Sequence, residues 1–307
     1  MEQKNKVVLL AGPTASGKSK LALQLAKNLN GEIINADSMQ VYNEIIILTS
    51  RPTLQDTNIV EHHLYGFNSV KQKFSTGHWL KMAINKIKEQ WNRDRIPILV
   101  GGTGLYFKAL TDGLVKIPDI PTDLRTEIRE LHKKIGQKEF YNKLIKLDPL
   151  AKKFLLPSDK QRSMRAYEVK KMTNKSLFVF TKKTKSNFDN KIFKKFFINA
   201  PRKLLHKNID ERVENMFEED VVTEVRNFLK MDVNKELSSN KIIGIKEIKD
   251  YIDGKLTLIK TKELIKLKTR QYAKRQFTWF RGHMKSWEMI FSPNSNDLFK
   301  QVINKIS

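Results

Sequence analysis

Short apolar runs and longer segments with apolar residues at every third or fourth position alternate along the first part of the chain. Lys6 to Ala11 (KVVLLA) is apolar and β-branched, runs into a loop from Gly12 to Gly17, and continues into Leu21, Leu23, Leu25 and Ala26. That order predicts strand, loop, helix. A second strand is predicted at "GEIINAD" and a third at "IPILV" (Ile96 to Val100), the one ending in Asp37, Ser38 and Gln40, the other in "GGTGLY". Between them Leu80, Ala83 and Ile87 recur at helical spacing, as the crossover between parallel strands requires. From Thr111 to Asp123 the chain is turn-rich, and the stretch that follows reads as mostly helical, with Leu124, Ile128, Leu131 and Ile135 on one stripe. A strand returns at "KKFFINAP", preceded by a lysine-dense, exposed connection. Asn208 with Glu211 predicts a capping box before the amphipathic run Ile209, Val213, Met216 and Val225, and a last strong helix is predicted from Thr261 to Arg281.

The predicted fold class is therefore α/β, a P-loop NTPase-like parallel-sheet core with helices on both faces, plus a mostly helical inserted domain. Residues 1–112 and 196–307 are assigned to the core and 113–195 to the insertion. No internal repeat is present. A chain of 307 residues accommodates both units.

The loop between the first strand and helix reads GPTASGKS. Gly12, Pro13, Thr14, Ala15, Ser16, Gly17, Lys18 and Ser19 have the spacing and context of a phosphate-binding loop, with backbone N–H groups and Lys18 for a pyrophosphate and Ser19 for Mg²⁺. Asp37 is the acid/base candidate, because it follows a strand end, where open α/β sheets hold their ligands; as an isolated residue it serves equally well as a helix cap. Gly101, Gly102 and Gly104 around Thr103 suit either close approach of a ligand or a tight turn. "IPILV" ends in Gly-Gly rather than in the metal-binding acid of hydrolytic P-loop NTPases, which favours group transfer over hydrolysis. His62 and His63 are adjacent and lack the i, i+4 spacing of a helical zinc site.

Charge changes the picture further. The chain carries 58 Lys and Arg against 33 Asp and Glu, a formal net charge of +25, which points to a polyanionic partner. The absence of cysteine excludes disulfides, thiolate metal sites and thiol nucleophiles. No signal pattern or membrane-length apolar run is present, so the expectation is a cytoplasmic protein with no membrane partner. "TRQYAKRQFTWFRG" interleaves cations with rings, and Gln271, Lys274, Thr278 and Arg281 form a polar stripe. Such a helix can grip RNA and stack bases, or equally bury its rings and solvate its cations. Arg162 and Arg165 can likewise fork onto phosphates or pair with Glu168.

In order, GPTASGKS, "ADSMQVY", "HHL", "VGGTGLYFKAL", "DKQRSMRAYE", "GIKE" and "TRQYAKRQFTWFR" closely resemble the tRNA dimethylallyltransferases, also called tRNA isopentenyltransferases, over nearly the whole chain. The resemblance implies transfer of a dimethylallyl group from dimethylallyl diphosphate to N6 of the adenosine just 3′ of the anticodon, with Mg²⁺, by a monomer acting on the anticodon stem-loop. It implies that the phosphate loop holds the donor diphosphate, that Asp37 is the general base, and that Thr103 bonds the leaving oxygen. It implies RNA contact by Asp37, Ser38, Met39, Gln40, Thr103, Arg125, Gln161, Arg162, Ser163, Met164, Arg165, Lys241, Gly244, Lys246, Lys274, Arg275, Gln276, Thr278, Trp279 and Arg281. Leu48, Arg51, Met39, Pro201, Asn208 and Ile245 depart from the family pattern, whereas Arg202 and Arg212 match it. The alternatives are a small-molecule P-loop kinase, which has no need of the basic aromatic helix, and a nucleotide-driven RNA-binding switch, which leaves Asp37 and Thr103 without a role.

Overall fold

A computed structural model describes residues 5–181, 184–291 and 295–306, without the side chains of 295 and 296. Two compact units emerge, one formed by Met1–Thr111 with Phe188–Ser307 and the other by Asp112–Asn187. The second boundary thus lies before the expected 195, because Phe193, Lys194 and Lys195 pair with the first strand of the sheet. The expected lysine-dense connection includes Lys182 and Lys183, which lie outside the described residues.

Among the described residues of the first unit, six strands form one parallel sheet: β1 (Val7–Ala11), β2 (Gly31–Asn35), β3 (His62–His63), β4 (Ile96–Gly101), β5 (Phe193–Ile198) and β6 (Glu288–Ile290). Their spatial order is β3-β2-β4-β1-β5-β6. β1 is buried along its whole length, which is why its sequence is a continuous apolar run rather than an alternation. α1 (Lys18–Asn28) covers one face with Leu21, Ala22, Leu25 and Ala26. α2 (Leu54–Ile59) precedes β3, and α3 (Thr76–Asn92) is the predicted crossover, burying Trp79, Leu80, Ala83 and Ile87. α4 (Gly104–Asp112) leaves the glycine-rich loop after β4. This architecture is P-loop NTPase-like.

The decisive consequence is the order β2-β4-β1. It sets side by side the Asp37 turn after β2, the Gly101–Gly104 loop after β4 and the phosphate loop after β1. Backbone bonds tie them, Gly12 N–H to Gly101 O at 3.3 Å and Thr103 N–H to Ala36 O at 3.1 Å.

The second unit, by itself, contains α5 (Thr122–Leu147), α6 (Lys160–Thr173) and α7 (Leu177–Thr181). α5 breaks at Gly136, whose φ of +76° ends one helical run and begins another. Ile128 is buried against Phe140, Leu144 and Tyr167, and Leu124, Leu131 and Ile135 pack onto that core, as their spacing predicts.

Beyond β5, α8 (Arg202–Glu218), α9 (Val221–Lys230), α10 (Ile245–Ile252) and α11 (Leu258–His283) bury a second apolar cluster of the first unit around Val213, Met216, Val225, Ile248 and Ile265. α8 begins at Arg202, so Asn208 is six residues inside the helix and is not the predicted cap. β3, β6 and α12 (Ser295–Ile306) are absent from the sequence expectation. β3 has two residues, β6 three, and α12 reveals its role only by packing Leu298, Val302 and Ile306 onto α1. Among the described residues no helix is long and apolar enough to cross a membrane.

Candidate active site

At the C-terminal ends of β1, β2 and β4 a cavity of about 420 Å³ opens. Its floor is the phosphate loop, residues 14–20, with Asp37, Met39 and Gln40 along one side and Arg212, Tyr272 and Arg275 along another. Its remaining wall is mainly apolar, with Leu48, Val213, Met216, Ile242, Ile243 and Ile265, and also carries Thr49, Ser50, Lys241 and Thr269.

The loop that starts α1 turns through Gly17 at φ +84°, a conformation open to glycine at little cost. Lys18 Nζ donates to Pro13 O at 3.0 Å. Burial pulls its pKa down to about 8, with Asp37 opposing the fall and Arg212 adding to it. Two residues of α8 reach this loop from across the sheet: Asn208 Nδ2 donates to Ala15 O at 2.9 Å and Arg212 to Thr14 Oγ1 at 2.7 Å. One helical turn apart, they share a face. Burial lowers the Arg212 pKa while Asp37 raises it. Ser16 Oγ and Arg212 Nε are buried with no hydrogen-bond partner among the described residues. Unsatisfied buried donors beside two cations are what an anionic ligand completes. Ser19, on the exposed first turn of α1, also lines the cavity.

Asp37 is held by its neighbours. Its N–H donates to Asn35 Oδ1 at 2.7 Å, its carbonyl accepts from Asn35 Nδ2 at 2.9 Å, and its Oδ1 accepts the Met39 N–H at 2.9 Å. Asn35 is fully buried, donates also to Leu64 O, and has its own carbonyl bound by the indole N–H of Trp79. The Thr103 hydroxyl accepts the Ser38 N–H at 2.9 Å and donates to Ser38 Oγ at 3.2 Å. None of Gly101, Gly102 and Gly104 has a positive φ. A side chain at these positions would collide with the Ala36 backbone, Gln276 and the Trp279 ring respectively, so the glycines admit the protein's own packing.

The expected RNA contacts divide by exposure. Lys274, Arg275, Thr278 and Arg281 are exposed on α11, as are Lys241 and Lys246 beside it in sequence order. Lys241 and Arg275 line the cavity. Gln161 and Arg162 are exposed in the second unit; Arg165 pairs with Glu168 at 3.1 Å and Arg162 with Asp159 at 3.5 Å. Arg125 Nε is buried and has no hydrogen-bond partner among the described residues.

Several expected contacts have their side chains occupied within the fold. Ser163 and Met164 are buried on the inner face of α6. Gly244 is buried at φ +107°, with Leu48 against it. Gln40 Nε2 bonds the carbonyls of Thr49 and Ser50. Gln276 is buried, with its amide bonded to Thr14 and Gly102. Trp279 is half-buried, packed on Gly104 and stacked on His283 at 4.4 Å. The rings of α11 thus serve mainly the interior, Phe280 packing on Phe107 and Phe197.

Spacing within the sequence does not reveal Asn35 or Asn208 as site residues, and it offers Tyr272 only as one of the rings of a helix that could stack bases. Only the Asn35-x-Asp37 turn pattern and the i, i+4 relation of Asn208 to Arg212 carry a readable signal. Burial and Asp37 both push the Tyr272 hydroxyl up, keeping it a neutral donor.

Among the described residues, Glu32, Glu61 and His63 are close enough to share a metal ion. Glu32 is already paired with Arg93 at 2.8 Å and His63 at 2.7 Å, near the start of β2 and away from the cavity, so the trio is an ion-pair cluster.

A family model described as IPP transferase matches residues 40–283. A tRNA dimethylallyltransferase of Pelagibacter ubique is 50% identical over 287 residues, covering 94% of this chain and 92% of that protein. One of Rickettsia massiliae is 45% identical over 97% of this chain and 82% of its own. The crystal structure of a full-length tRNA isopentenylpyrophosphate transferase from Bacillus halodurans superposes with a TM-score of 0.70 at 32% identity, covering 98% and 97% of the two chains. A eukaryotic dimethylallyltransferase described as acting on tRNA gives 0.81 at 28% identity, over 94% of this chain and 74% of that one. The chain therefore belongs to the IPP transferase family.

Proposed function

We propose that this enzyme transfers the dimethylallyl group of dimethylallyl diphosphate to N6 of the adenosine immediately 3′ of the anticodon of tRNA, releasing diphosphate. The carrying observation is one cavity with a cationic, N–H-rich floor, a carboxylate side and an apolar wall. A phosphate loop alone serves many donors, but the apolar wall suits an isoprenoid and has no use in a small-molecule kinase.

In this reading the amides of Ala15 and of residues 17–19, with Lys18 and Arg212, hold the donor diphosphate and neutralise it as it leaves, aided by Thr103. Asp37 Oδ1 is engaged by Met39, which leaves Oδ2 to take the proton from the adenine amine as the N6–C1 bond forms and the C1–O bond breaks. Ser19 with the diphosphate oxygens makes the hard-oxygen set that Mg²⁺ takes, and the bound ion would supply further neutralisation of the leaving group. The apolar wall excludes water from the allylic carbon. The adenine must leave its stack to enter. The exposed cations of α11, with Lys241, Lys246, Gln161 and Arg162, bind the RNA backbone.

Mass spectrometry of unmodified tRNA incubated with the protein, Mg²⁺ and either dimethylallyl diphosphate or ATP tests the reading. A dimethylallyl mass gain on one anticodon-loop adenine without ATP is the expected result. ATP turnover on a small acceptor with no prenylation would overturn it.

A further inference from the structure

Gln276 sits on the inner face of α11, 5% exposed, and both ends of its amide are in use. Oε1 accepts the Thr14 N–H at 2.9 Å, and Nε2 donates to Gly102 O at 3.0 Å. Gly102 precedes Thr103, whose hydroxyl accepts the N–H of Ser38, the neighbour of Asp37. A connected run of bonds and residues therefore leads from the phosphate loop to the Asp37 turn, and Gln276 joins its two halves. The loop after β4 is shaped for this side chain, since a Cβ at Gly102 would stand 2.0 Å from Gln276 Nε2.

We propose that Gln276 is a positioning residue, which holds the phosphate loop and the Asp37 turn at the separation and orientation in which donor carbon and acceptor amine meet. This rests on the function proposed above and assigns Gln276 a role other than RNA contact. The amide is required because it accepts at one end and donates at the other. Glutamate would keep the first bond and set an oxygen against Gly102 O; methionine would keep the volume and lose both.

The test is steady-state kinetics of wild type, Gln276→Glu and Gln276→Met with unmodified tRNA and dimethylallyl diphosphate, together with tRNA binding and thermal melting. Misplaced reacting groups are expected to lower kcat roughly 10- to 100-fold in both variants. The KM for tRNA and the tRNA Kd should stay within about twofold of wild type, the split that marks loss of an interaction realised in the transition state. An unchanged kcat in Gln276→Met, or a raised KM for tRNA with kcat intact, would overturn the proposal. So would loss of a cooperative melt in Gln276→Met, which would make the bonds a requirement of folding. A wild type that transfers no prenyl group overturns the functional reading and this proposal with it, whereas a wild type that does so, beside unaffected variants, overturns the proposal alone.

Discussion

Asp37 and Lys18 are short of freedom for opposite reasons. Asp37 is braced through its backbone by a buried Asn35 and through Oδ1 by Met39 N–H, so its carboxylate is aimed before any substrate arrives. Asp37→Ala is expected to lower prenyl transfer by roughly 10²-fold or more while tRNA affinity stays near wild type, as rate and filter-binding assays would show; wild-type turnover would remove Asp37 from the base role. Lys18 is half-buried, and desolvation lowers its pKa to about 8. Below that value the amine carries its charge; as pH rises through it, the ligand-free protein loses the cation that an anion needs. Affinity for inorganic pyrophosphate, measured calorimetrically from about pH 7 to about pH 9.5, should therefore decline toward a tenfold loss per pH unit. Lys18→Met should bind more weakly throughout and lose this dependence.

Among the helices, α8 and α9 act on loops far away in sequence. α8 carries Asn208 and Arg212 to the phosphate loop. Asn208 resembles a helix start in sequence because Asn followed three residues later by Glu satisfies the capping pattern, but the helix already begins at Arg202 and the amide faces Ala15 O. Local spacing does not report a partner 193 residues away. From α9, Glu224 accepts the N–H groups of Ile46, Ile47 and Leu48 at 2.5, 2.7 and 3.0 Å. This anchors the loop that carries Leu48, whose side chain is buried against Gly244. Glu224→Ala leaves those amides without their acceptor and should cost about 1–3 kcal/mol in chemical denaturation. A loss too small to measure would show that water replaces the carboxylate.

Across the whole molecule the net charge of +25 is the feature that a long anionic partner reads first. Lys274 and Arg281 lie exposed along α11, while Gln276 and Phe280 of the same helix face inward. Lys274→Ala should weaken binding of an unmodified anticodon stem-loop and flatten the slope of log K against log salt by about 1. An unchanged slope would place Lys274 off the RNA. Kinetic effects confined to kcat are expected of the inner face, and effects on KM and salt dependence of the outer one.

The core strands, the phosphate loop, the crossover helix and the apolar stripe of the inserted helices were all determined by the sequence alone, because each is encoded by spacing within a few residues. Lys18 and Asp37 were legible as candidates for the same reason, the one in the spacing of the loop motif and the other just beyond a predicted strand, whereas the role expected of Thr103 came only from the family resemblance. Tertiary structure alone decided that β4 lies between β2 and β1, which brings Lys18 and Asp37 to one cavity and sets Thr103 against the turn that carries Asp37. It alone turned Gln276, read as an RNA contact, into an internal strut, and the glycines beside Thr103 into space for α11. Hydrogen bonds and close packing join residues by distance in space, and a side chain's partner across the sheet leaves no periodic trace along the chain.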